Sequence, residues 1–202
     1  MQNDLDRKAG YTLLISDVPH ALVMQYSYEL PFGAGKRFLN GTGFAKYFVS
    51  GWIVNGIHRY QSGTPLFITM NNTLPIFNRQ LRPNRVAGVE PSTGIANSKF
   101  QPNSDRAINK AAFVAPAAFT FGNAAPSFAG LRNFPVLQED FSLLKDTTVR
   151  ERVTVQVIAQ IINASNRHRF ADINTNFSNA TFGSSVGTNL GRIITLGLKL
   201  KF

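Results

Sequence analysis

Three histidines, His20, His58 and His168, are the residues most able to bind a metal ion, but they lie far apart and none has a second histidine within four positions. Cysteine is absent, so thiolate ligands and disulfides are excluded. No metal site and no cofactor are expected. The stretch FGAGKRF around Lys36 has the glycine and lysine of a phosphate-binding loop, but Leu30 stands where its first glycine belongs and Arg37 replaces the hydroxyl residue, so it reads as a turn. Glu139 and Asp140 are adjacent and read as groups at a strand end, not as an acid–base pair. With no nucleophile motif assigned, no catalytic residue is proposed and the chain is not expected to be an enzyme.

The elements that carry these residues suggest another kind of function. A net charge of +10 would ordinarily raise nucleic acid as a partner, yet the 21 Lys and Arg are scattered without a basic run. The excess is a diffuse surface property, and no nucleic-acid face is expected. The N-terminal MQNDLDRKAG lacks the apolar core of a signal peptide. Residues 111–131 carry no charge, but Pro116 and Pro126 interrupt them and predict a loop, not a membrane helix.

Strict two-residue alternation is the strongest pattern in the chain. In GRIITLGLKLKF, Ile194, Leu196, Leu198, Leu200 and Phe202 share one face, and Ile193, Thr195, Gly197, Lys199 and Lys201 the other. RVTVQVIAQII sets Val153, Val155, Val157, Ala159 and Ile161 against Arg152, Thr154, Gln156 and Gln160. ALVMQYSYEL sets Leu22, Met24, Tyr26, Tyr28 and Leu30 against a more polar row. GWIVNGIHRYQSG alternates Trp52, Val54, Gly56, His58 and Tyr60 with Ile53, Asn55, Ile57, Arg59 and Gln61. His58 is a misfit on its apolar face and calls for a bulge or an interfacial position. A fifth segment, VLQEDFSLLKD, groups Leu137, Phe141 and Leu143, with Glu139 as its misfit.

A strand tilted by about 45° needs about 9 to 11 residues to cross a hydrocarbon layer, and these segments have that length. Soluble sheets more often use about five or six residues per strand. One apolar face for lipid and one polar face for a wet lumen account for both rows of residues. Antiparallel pairing places the long connections, about 71–134 and 163–190, at one end of the strands. It places the tight turn around residues 146–150, the 31–50 linker and the C-terminus at the other. The prediction is an all-β chain: an antiparallel transmembrane β-barrel segment of about five long strands from a larger barrel, with long extracellular loops. Tyr26, Tyr28, Phe32, Trp52 and Tyr60 are expected as interfacial aromatics. Arg59, Gln61, Arg152, Gln156 and Gln160 are expected to face the lumen. In the long loops, Arg79, Arg82 and Arg85 are expected to touch an external ligand or anionic lipopolysaccharide.

Seven stretches carry a resemblance: DVPHALVMQYSYELPFGAGKRFL, GWIVNGIHRYQSGTPL, RPN at 82–84, INKAAFVAPAAFTFGNA, LRNFPVLQEDFSLLKD, ERVTVQVIAQIINASNRHRF and RIITLGLKLKF. In that order, over nearly the whole of residues 1–202, the chain resembles the C-terminal β-barrel portion of TonB-dependent outer-membrane receptors. It is most similar to the Oar-like kind with a carboxypeptidase-regulatory-like N-terminal domain. The resemblance implies a cell outer membrane location of Gram-negative type, contact with lipid and lipopolysaccharide, and energised uptake of a ligand through a plug domain and the TonB system. It also implies that Leu196, Leu198, Leu200 and Phe202 form the C-terminal signal read by the barrel assembly machinery. No plug or signal peptide is recognisable, so the chain is expected to be a fragment. Two alternatives stand beside this reading. One is another outer-membrane pore, a porin or secretion barrel, whose full gene would lack a plug. The other is a soluble basic β-domain binding a hydrophobic ligand or nucleic acid, which would be soluble without detergent and unfold cooperatively.

Overall fold

The computed structural model describes every residue except 1, 4, 5, 41, 42, 75–78, 151 and 152. Eleven strands are present among the described residues, and five of them build the main sheet. These are β1 (Ala21–Glu29), β2 (Trp52–Gln61), β7 (Val136–Arg150), β8 (Val153–Ile162) and β11 (Ile193–Lys201). They neighbour one another in chain order, β1-β2-β7-β8-β11, so the sheet is an up-and-down meander interrupted by two excursions.

Registers fix which end is which. Ala21 pairs with Gln61 and Ile193 with Ile162 at one end, which we term the loop end; Glu29 pairs with Ile53 and Lys201 with Thr154 near the other, the turn end. The β1–β2 register runs without a break past Met24↔His58, so His58 is accommodated with no bulge. The expected tight turn around residues 146–150 is not a turn. β7 continues through Thr147↔Val155 and Thr148↔Thr154 to Arg150, which pairs with Val153 after a register shift. Thr147, Thr148 and Val149 are β-branched and fit a pleated strand better than a turn.

By packing, the chain divides into two units. The sheet belongs to the unit made of Ala21–Gln61, Leu137–His168 and Leu190–Phe202, which also holds the one-turn helix α1 (Lys46–Val49). Every residue of β1 and β11 is solvent-exposed, and no hydrophobic side chain of the sheet is buried. A soluble sheet covers one face with its core, whereas both faces of β1 and β11 are exposed and β2, β7 and β8 are mostly half-buried.

The other unit, Met1–His20, Ser62–Val136 and Arg169–Asn189, contains the buried hydrophobic cluster. Its strands are short: β3 (Pro65–Phe67) pairs with β6 (Ser127–Arg132), β4 (Asn84–Arg85) with β5 (Phe113–Val114), and β9 (Phe170–Ile173) with β10 (Ser185–Thr188). Leu66, Ile68, Phe100, Ile108, Phe113, Leu131, Phe134 and Phe182 form its centre. Aromatic edges meet ring faces there, with Phe100 5.1 Å from Phe134 and Phe182 5.8 Å from Phe113 between ring centres. The segments expected to be long loops are therefore, in large part, a packed body. Among the described residues no helix is long and apolar enough to cross a membrane.

Candidate membrane-facing wall

Because side chains alternate along each strand, the register decides which residues share a face. Across β11, β8 and β7 one face carries Ile194, Ile161 and Phe141 in a row, then Leu196, Ala159 and Leu143. Leu198 with Val157 and Leu200 with Val155 extend it toward the turn end. On β1 and β2 the matching pairs are Leu22↔Tyr60, Met24↔His58, Tyr26↔Gly56 and Tyr28↔Val54. His58 and Phe141 join the two halves edge to face, 5.4 Å between ring centres. The opposite face carries Lys199, Gln156 and Asp146 in one row and Thr195, Gln160 and Ser142 in another. Arg59 and Gln61 lie on this polar face too, the guanidinium donating to Gln61 Oε1 at 2.6 Å, and Asn55 donates to Ser142 Oγ at 3.0 Å. Of the residues expected to face a lumen, Arg59, Gln61, Gln156 and Gln160 share one face; Arg152 lies outside the described residues.

The two misfits on the apolar face belong to one network. His58 stacks on Tyr26, 5.6 Å between centres, with Nε2 3.3 Å from the Tyr26 hydroxyl and Nδ1 3.4 Å from that of Tyr60. The Tyr60 hydroxyl donates to Glu139 Oε1 at 3.0 Å, Arg167 Nη1 lies 2.8 Å from the same oxygen, and Ser165 Oγ donates to Oε2 at 2.5 Å. Glu139 is thereby buried and satisfied. Asp140, pointing to the other face, accepts from the Asn163 amide at 2.8 Å. Two consecutive carboxylates thus grip, from opposite sides of the sheet, the chain that leaves β8. Ser165 and Arg167 were not legible as part of this site, because their contact with Glu139 spans 26 residues or more of sequence.

The predicted aromatic positions separate. Trp52 and Tyr28 lie toward the turn end and Tyr60 toward the loop end, whereas Tyr26 sits in mid-sheet. Its partner across the register is Gly56, where a Cβ would meet Tyr26 Cζ at 2.4 Å, so the ring fills the slot that glycine leaves. Phe32 lies in the linker, bridged to Phe38. Leu196, Leu198, Leu200 and Phe202 are all exposed. Lys145 is a further misfit on the apolar face, its ammonium 5.2 Å over the Trp52 ring and donating to Ser50 O at 2.8 Å.

The three loop arginines also divide. Arg82 is buried, donating through Nε to Gln2 Oε1 at 3.1 Å and through Nη1 to Ala9 O at 2.9 Å. Burial lowers its pKa below the ordinary arginine value, and the Asp6 carboxylate opposes that shift. Arg85 donates to the carbonyls of Val86, Val89 and Ala112 and lies over Phe113 and Phe128. Both guanidiniums bond within their own unit, Arg82 from a buried position and Arg85 from a half-buried one. Arg79 is exposed and, with Arg82, Gln80, Thr12 and Thr69, lines a cavity of about 660 Å³.

Among the described residues no group of His, Asp and Glu could hold a metal ion. One motif corrects the sequence reading: the letters G-x-S-x-G do occur, at Gly183, Ser185 and Gly187. They do not form a nucleophile elbow, since Ser185 lies within β10 and its hydroxyl donates to the carbonyl of Ala171 at 2.6 Å, with that of Gly187 2.9 Å away.

An antiparallel sheet of long strands, with an apolar row and a more polar row on its two faces, has the pattern of a membrane β-barrel wall. A model of the outer membrane β-barrel domain family matches residues 1–195, and the chain belongs to that family. It is an outer-membrane protein. No curated protein and no solved structure matches the chain.

Proposed function

We propose that the chain is part of the barrel wall of a TonB-dependent receptor and takes part in energised uptake of a ligand from outside the cell. The observation that carries the wall is the register, which assembles the apolar rows of five strands on one face and the polar rows on the other. Five strands do not close on themselves: among the described residues β1 and β11 each have one unpaired edge, and in lipid such backbone groups cost several kcal/mol each. Further strands beside β1 and β11 would complete a larger barrel.

The receptor reading rests on the sequence resemblance and on the packed unit built from the long connections between strands, which is more elaborate than a simple pore's turns require. In this reading the cavity with Arg79 offers a place for a ligand, and Leu196, Leu198, Leu200 and Phe202 address the assembly machinery. Electrical recording separates receptor from pore. A complete receptor that includes this wall, purified from outer membranes and placed in a planar bilayer, should stay closed, and should cross-link to the periplasmic end of TonB in cells. A steady open conductance without TonB cross-linking would sink the receptor reading in favour of a porin or secretion barrel.

A further inference from the structure

The geometry points to the 31–50 linker as a membrane-surface foot: an aromatic, basic turn that lies in the phospholipid interface at the turn end of the wall. This rests on the barrel reading above. The segment contains Phe32, Phe38, Phe44, Tyr47 and Phe48, together with Lys36, Arg37 and Lys46, and no acidic residue. Phe44 is 77% and Phe48 62% exposed. Outward-facing rings of this size in water have an unfavourable hydration cost, which a bilayer interface removes.

The rings are organised. Phe44, just before α1, lies edge to face against Phe48 at 5.4 Å and against Tyr47 at 6.2 Å, both within the helix. The cluster is fixed to the wall through the residue that begins the apolar face of β2. Trp52 Nε1 donates to Phe48 O at 2.8 Å, and Lys145, over the Trp52 ring, donates to Ser50 O at 2.8 Å. The apolar surface therefore continues from the lipid-facing rows of the sheet into the turn.

Charge selects phospholipid as the occupant. Lys36 is paired with Glu29 at 2.9 Å, while Arg37 lies over Phe38 and Lys46 over Tyr47, each cation beside an aromatic ring. Rings at acyl-chain depth with cations at phosphate depth are the pattern by which a short segment lies on a bilayer.

The chain has no cysteine, so single nitroxide labels can be placed at Phe44→Cys, Phe48→Cys and Leu198→Cys, the last as a reference on the wall. The protein is reconstituted in bilayers of phosphatidylethanolamine and phosphatidylglycerol, and collisions with oxygen and with a water-soluble nickel chelate are compared. Labels at 44 and 48 should favour oxygen, at shallower depth than 198, and Lys46→Glu should raise nickel access at 48. Nickel access dominating at 44 and 48 while 198 stays in lipid overturns the foot and leaves the wall intact. Shielding of 44 and 48 from both reagents identifies a protein contact and also overturns it. Nickel access at 198 overturns the wall itself and the foot with it.

Discussion

At the scale of single residues, the wall is punctuated by polar groups that have partners in place. Glu139 accepts from Tyr60 and Ser165 and is paired with Arg167, so its removal breaks several contacts at once. Glu139→Ala should weaken the loop end by about 1–3 kcal/mol, the range for bonds to a charged group, whereas Tyr60→Phe removes a single donor and should cost less. Hydrogen exchange checks this, because the amide of Ala164 donates to Glu139 O and should lose protection more in the first variant than in the second. Equal loss in both would show that the carboxylate is not the centre of the cluster. Gly56 offers a second test. A methyl group there forces the Tyr26 ring aside and parts it from His58, at a cost of about 1 kcal/mol for the lost aromatic pair. In a double-mutant cycle, Gly56→Ala should be nearly neutral once Tyr26→Ser has removed the ring.

At the scale of elements, the two faces of β11 should respond differently to charge. Leu198 lies in the apolar row with Val157, and Leu198→Arg should cost about 2–4 kcal/mol of insertion free energy, the range for arginine at the bilayer midplane. Thr195→Arg, on the polar face beside Gln160, should cost far less, as measured by the folded fraction in lipid vesicles over a urea series. Equal costs would remove the distinction between the faces. These strands were legible because alternation is a property of the backbone pleat and survives any tertiary context. The end of β7 was not, since Lys145 and Asp146 ended its apolar run while the β-branched residues beyond still favoured pairing. The small strands of the other unit were illegible for another reason. β4 and β5 have two residues each, too few to show a period, and Asn84 and Asn123 hold the same region through side-chain bonds to each other's backbone neighbourhood. The inward roles of Arg82 and Arg85 could not be read either, because Arg82's partners lie 80 and 73 residues away in sequence.

At the scale of the whole molecule, the fully buried hydrophobic side chains among the described residues all lie in one of the two units. Phe182, 2% exposed at the meeting of Phe113 and Phe177, is a suitable probe. Phe182→Ala should destabilise that unit by about 3–5 kcal/mol. Limited proteolysis should then cut within residues 62–136 or 169–189 while the sheet strands stay protected in lipid. Simultaneous loss of both would mean that the units unfold as one. How such an experiment is monitored follows from where the chromophores sit. Trp52, the chain's single tryptophan, and four of its five tyrosines (Tyr26, Tyr28, Tyr47 and Tyr60) belong to the sheet unit, and only Tyr11 to the other. The unit with the hydrophobic core is built on phenylalanine and is nearly silent to ultraviolet fluorescence. An emission trace will therefore follow the wall alone, and a loop body that has already melted will leave the spectrum unchanged.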